Sequence, residues 1–130
     1  MFSEFKEQLR STYLSNKVTL TRLGAPLLYA YDAKSFYQRL RGIHGVPSLG
    51  PTEAIILRHC NAVHTFGMKC PIDVVFVNRN GVILKAVSVI PNRVVVCFGA
   101  KVAVEMAEGT AARIQLAVGQ KFVPSHGEWT

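Results

Sequence analysis

Between Cys60 and Asp73 the chain reads CNAVHTFGMKCPID, a stretch dense in groups that could do chemistry. Cys60, His64, Met68 and Cys70 are soft donors that would suit zinc or copper(I). Their spacing, C-x3-H-x5-C, does not match structural zinc sites, which bring two short ligand pairs together. His44, His59 and His126 are scattered and supply no second pair. The alternative is that Met68 fills core space and that Cys60 and Cys70 act as small hydrophobes. No metal and no cofactor is therefore expected.

Cys60 or Cys70 with His64 and Asp73 has the residue types of a nucleophile, base and orienting acid. No strand–Gly-x-Ser/Cys-x-Gly–helix elbow marks a nucleophile. Backbone N–H groups at Gly42 or Gly67 would have to serve as an oxyanion hole. A glycosidase-like carboxylate pair is hard to assemble from eight acids, with Asp73 isolated among bases. Two roles remain for Asp73. It orients His64 as half of an acid/base pair, or it pins the loop 63–71 to the strand that follows. A second cluster precedes this one. Gly42, Gly45 and Gly50 lie in a loop after Arg39 and Arg41, which is neither a Walker A motif nor a dinucleotide fingerprint. Arg41, His64 and Lys69 could line a generic anion pocket. Arg41, Gly42, His64, Thr65, Met68 and Asp73 form the candidate ligand-binding set.

The elements that must position these residues are mostly strands. Residues 3–14 suit an amphipathic helix with Ser3 as cap, and residues 1–16 form an N-terminal extension. KVTLTRL (17–23) and LLYAY (27–31) read as strands. AKSFYQRLR (33–41) reads as a helix capped by Asp32 and stopped by Gly42. GIHGVPSLGPTE (42–53) is loop. AIILRHC, PIDVVFV, VILKAVSVI, RVVVCF and KVAVEM follow as strands, then EGTAARIQL as one short helix and AVGQKFV as a turn and closing strand. Asn80-Gly81 signals a tight hairpin turn, since both residues tolerate positive φ. Along 72–77, Ile72, Val74 and Phe76 share one face, and Asp73, Val75 and Val77 the other. No long helices separate the strands, so a doubly wound parallel sheet is not expected. The expectation is an α+β, β-rich single domain over residues 1–130. It would be a compact, mostly antiparallel β-barrel or curled sheet with two or three short helices.

At 130 residues the chain can bury a core without a metal or disulfide staple. Its apolar runs are too short to span a membrane, and MFSEFKEQLR is no secretory signal. Three cysteines without an export signal read as free thiols, so a cytoplasmic location is expected. The net charge is +7 and uneven: residues 58–101 hold six Lys/Arg against Asp73 alone. Such a balance favours anionic partners. The basic residues form no dense run and no nucleic-acid motif appears, so nucleic acid is not the favoured partner.

RLRGIHGVPSL (39–49), AIILRHCNAVHTFGMKCPIDVVFVNRNGVIL (54–84) and AVEMAEGTAARIQLAVGQKF (103–122) resemble, in order, the family called domain of unknown function 192. The likeness covers residues 39–122. It implies a small β-rich core flanked by short helices and no established reaction. The chain has Asn78-Arg79-Asn80-Gly81 and Gln120 where the family often carries acids, so it lacks carboxylates for a cation site at the hairpin tip.

The leading reading is a non-enzymatic ligand- or protein-binding accessory module, with an unknown small molecule or protein as partner. A small enzyme using His64 with Asp73 stands second. A basic nucleic-acid or acidic-partner binder stands third.

Overall fold

The computed structural model describes residues 17–32 and 49–129. The expected helices at 3–14 and 33–41, and Arg41 and Gly42 with them, lie outside the described residues. The elements run β1 (Lys17–Arg22), β2 (Ala25–Asp32), β3 (Glu53–Arg58), β4 (Ala62–His64), β5 (Ile72–Val77), β6 (Ile83–Val89), β7 (Val94–Val96), β8 (Val102–Ala107), α1 (Thr110–Arg113) and β9 (Val123–Pro124). Seven strands make one sheet in the order β6-β5-β8-β3-β2-β1-β9, and β4 and β7 make a second, two-stranded sheet. Every described pairing is antiparallel except β2 with β3, which are parallel.

The β-branched run at 72–77 explains the centre of the molecule. All six residues of β5 are buried, so both faces of the strand need cover. Val75 and Val77 join Leu20, Leu28, Ile56, Ile83, Val104, Met106, Phe122 and Trp129 in one core. Ile72, Val74 and Phe76 join Tyr31, Ile55, Leu57, Val63 and Val89 in a second core on the opposite face. The curl of the large sheet, α1 and the C-terminal segment close the first core. The β4–β7 sheet covers the second: Val63 is buried there, and Val95, Met68, Cys60 and Cys97 pack against it.

Of the two forms expected, barrel or curled sheet, the barrel does not hold. The end strands of the large sheet are joined only through the irregular segment 119–124. Ile83 N–H donates to the Gln120 carbonyl (2.9 Å), Gly119 N–H to that of Ile83 (2.9 Å) and Phe122 N–H to that of Gly81 (2.8 Å). One isolated bridge, Val82 to Lys121, accompanies them. Gly119 (φ +93°) turns the chain, and β9 spans two residues and ends at Pro124, which has no N–H to extend a ladder. The sheet is therefore curled and left open. Nor do the described residues hold two or three helices: they hold α1, four residues within the stretch expected to be helical.

The hairpin turn differs in detail from expectation. Among Asn78–Val82 only Gly81 has positive φ (+83°). Gly81 N–H donates to the Asn78 carbonyl (3.0 Å), and Asn78 Oδ1 accepts from the N–H groups of Asn80 (2.9 Å) and Val82 (3.0 Å). The Asn78 side chain thus organises a longer loop with glycine at the left-handed position, in place of a two-residue turn. The β5–β6 register shifts between Phe76 and Val77 beside it.

Candidate functional site

Three of the expected site residues sit in one layer, the β4–β7 sheet and the loop after it. In β4 the alternation buries Val63 and exposes Ala62 and His64. His64 lies opposite Val94, and Ala62 opposite Val96. The His64 and Phe66 rings stack with centroids 5.3 Å apart at 26°. Phe66 N–H points at His64 Nδ1 (3.4 Å).

Thr65 has a different role from its neighbour. It is fully buried. Its Oγ1 lies 2.8 Å from the Ile90 carbonyl, to which it donates, and accepts from Arg93 N–H (2.9 Å). Its backbone N–H donates to the Arg93 carbonyl (2.8 Å), and its carbonyl accepts from the N–H groups of Asn92 (3.0 Å) and Met68 (3.2 Å). Thr65 therefore fastens the loop 65–68 to 90–93, and Met68 seats that loop on the second core. Asn92, at φ +64°, adds a bond: its Oδ1 accepts from Gly67 N–H (3.4 Å).

The structure does not bring Asp73 to His64. Asp73 shares its face with Val75 and Val77, on the first core, whereas Val63 and Met68 lie on the second. Its carboxylate is buried and fully engaged. Oδ1 accepts from Ser88 Oγ (2.5 Å) across the β5–β6 ladder, and Oδ2 accepts from Ala111 N–H (2.9 Å). That amide belongs to the first turn of α1, whose N-cap is Gly109 with no side chain to offer. Asp73 caps the helix from the neighbouring sheet, satisfying an N–H that the helix itself cannot. It pins α1, not the loop 63–71.

Cys60 and Cys97 are half-buried against the second core, and Cys60 Sγ approaches the Ala62 carbonyl (3.0 Å). Cys70 is exposed. Among the described residues no group of three His, Cys, Asp or Glu side chains gathers where a metal could be shared. No described helix is long and apolar enough to cross a membrane.

Two features escaped sequence reasoning. The first is the outer surface of the β4–β7 layer. Val94 is 57% exposed, Val96 38% and Phe66, stacked on His64, 53%; Ile90 and Phe98, which flank β7 in the chain, are 52% and 88% exposed. The run VVV in a three-residue strand carries the signal, since a strand covered on one side must show alternate valines to solvent. The second is polar and lies on the second-core face of the large sheet. The Tyr31 hydroxyl donates to Glu53, and Glu53 Oε1 accepts from Gly50 N–H (2.7 Å). Glu105, 4% exposed, stands on that face in register with Ile55 and Val74. Glu105 lies on the opposite face of β8 from Val102, Val104 and Met106 and is buried there.

An open, curled, seven-stranded sheet with a two-stranded sheet covering one face defines a β-rich α+β domain. The family model of DUF192, described as an uncharacterized ACR, matches residues 20–123. The chain belongs to that family. Among solved structures, a candidate transcription regulator from Sinorhizobium meliloti 1021 is similar over 84% of this chain and 92% of its own, with TM-score 0.71 at 16% identity. A protein of unknown function from Novosphingobium aromaticivorans DSM 12444 is similar over 87% of this chain and 84% of its own, with TM-score 0.68 at 20% identity. At such identities the likeness is one of fold. No curated protein matches the chain.

Proposed function

We propose that this domain is a non-enzymatic protein-binding module whose contact surface is the outer face of the β4–β7 sheet. The observation that carries the reading is the grouping of exposed Val94, Val96 and Phe66 around His64 on one small, well-anchored sheet. Contiguous exposed apolar side chains on a folded domain mark an interaction surface more often than chance scatter does. Aromatic side chains at such a place are typical interface anchors. The module reading is further supported by the fate of Asp73, whose carboxylate serves Ser88 and Ala111 and is thereby committed away from a His64–Asp73 acid/base pair.

The test is photo-cross-linking in the native host, with a photoreactive residue placed at position 94, 66 or 126 of the full chain. Positions 94 and 66 are expected to give a shared, discrete protein adduct, and His126, exposed elsewhere, none. No adduct from 94 and 66, or the same adducts from all three positions, overturns the reading.

A further inference from the structure

Resting on that reading, we infer that the partner presents an acidic polypeptide segment with apolar anchor side chains to the β4–β7 face. The charge of the chain stretch that builds the face is one-sided. From Arg58 to Lys101 the chain contains one carboxylate, Asp73. That carboxylate is 2% exposed and hydrogen-bonded on both oxygens, so it contributes nothing to the surface. The same stretch supplies Lys69, Lys85, Arg93 and Lys101. Lys85 Nζ donates to the Val96 carbonyl (3.2 Å), which places an ammonium on β7 itself. Arg93 immediately precedes β7, and its guanidinium donates to the Asn92 carbonyl (3.1 Å). Lys69 follows Met68 in the loop that Thr65 fastens to Arg93. Among the described residues, neither Lys85 nor Arg93 pairs with a carboxylate. An apolar face rimmed by cations is complementary to a segment that joins acids to apolar side chains.

The face suits polypeptide better than nucleic acid. The strand residues that present the face are aliphatic apart from His64 (Ala62, Val94 and Val96), and bases stack on flat rings. The Phe66 ring already stacks on His64, so one of its faces is taken. Aliphatic side chains in a cationic rim leave hydrophobic anchors flanked by carboxylates as the matching chemistry.

The experiment pans a random twelve-residue phage-displayed peptide library on the immobilised full chain, then measures selected peptides by fluorescence anisotropy. A dT20 oligonucleotide serves as the nucleic-acid probe. Enriched peptides are expected to carry net negative charge with an aromatic or aliphatic residue. Raising salt from 0.1 to 0.5 M should weaken them about tenfold, because exposed charge attraction is screened at that strength. Arg93→Glu with Lys85→Glu should weaken them by at least about the same factor, and Val94→Ser should also reduce binding. Neutral or basic peptides that still lose binding on Val94→Ser overturn the acidic partner and leave the contact face standing. Peptides unaffected by Val94→Ser, or no enrichment at all, overturn both. A dT20 complex that competes with the peptides and depends on Arg93 assigns the face to nucleic acid and overturns the inference.

Discussion

Neighbouring residues in HTFGM take separate jobs. His64 and Phe66 are exposed on the β4–β7 layer, whereas Thr65 between them is a buried fastener with four hydrogen-bonding links to 90–93. The residue types in this stretch were legible, and so was the need of a buried carboxylate at 73 for partners. Which partners was not, because Ser88 and Ala111 are 15 and 38 residues away in the chain. Asp73→Ala should leave the Ala111 amide without its acceptor, at a cost of about 1–3 kcal/mol, read as a lower urea midpoint with unchanged slope. His64→Ala, on an exposed site, should stay within about 0.5 kcal/mol of wild type. The double variant should be additive within about 0.5 kcal/mol, since the Asp73 carboxylate bonds Ser88 and Ala111 on the first-core side while His64 stands on the outer face of the other sheet. A coupling well above that would restore the His64–Asp73 pair.

Among the elements, the small β4–β7 sheet depends most on tertiary context. β4 lies in a stretch that reads as loop, because three residues are too few to show an alternation. It becomes a strand by pairing with β7 and by seating Val63 on the second core. Thr65→Val removes the hydroxyl that accepts from Arg93 N–H while keeping the side chain's shape. Faster amide exchange is expected at Arg93, with the β5 amides unchanged; equal loss of protection in β5 would show that the layer is not a separate unit. The β5–β6 turn is the converse case, legible from Asn-Gly yet misread in type. Gly81 is the position on which it depends: φ is +83°, and an added Cβ would lie 2.4 Å from Val123 Cγ1. Gly81→Ala should cost about 2 kcal/mol or more, combining left-handed strain with the clash. Gly67→Ala, also at positive φ (+80°) but with open space around it, should cost only the strain, about 1–2 kcal/mol. Paired thermal melts check the difference.

For the whole molecule, the C-terminal segment decides how the large sheet is finished. Phe122 and Trp129 are buried in the first core with rings 6.5 Å apart, and Trp129 Nε1–H donates to the Phe122 carbonyl (2.7 Å). Arg58, at the end of β3, covers the indole (5.7 Å to its centroid) and donates to the Trp129 carbonyl (3.0 Å). This arrangement ties the last residues to the middle of the sheet, where the sequence showed only a turn and a closing strand. Phe122→Ala should destabilise by about 3–5 kcal/mol, as a fully buried aromatic does when truncated. Trp129 is the single tryptophan, so its emission should shift to the red in one step with loss of far-ultraviolet circular dichroism. An earlier shift in the emission would mean that the C-terminal segment leaves before the sheet.

The strand positions, the division of 72–77 into two faces and the positive charge follow from the sequence alone, because side-chain periodicity and composition are local properties. The open curl, the second layer and the direction in which Asp73 spends its hydrogen bonds belong to the tertiary structure. Each depends on segments far apart in the chain meeting: 119–124 reaching both end strands, β4 finding β7, α1 coming under β5. Where one face of a strand faces solvent and where it faces another layer is set by that meeting. For this reason Val95 packs on the second core while Val94 and Val96 are exposed.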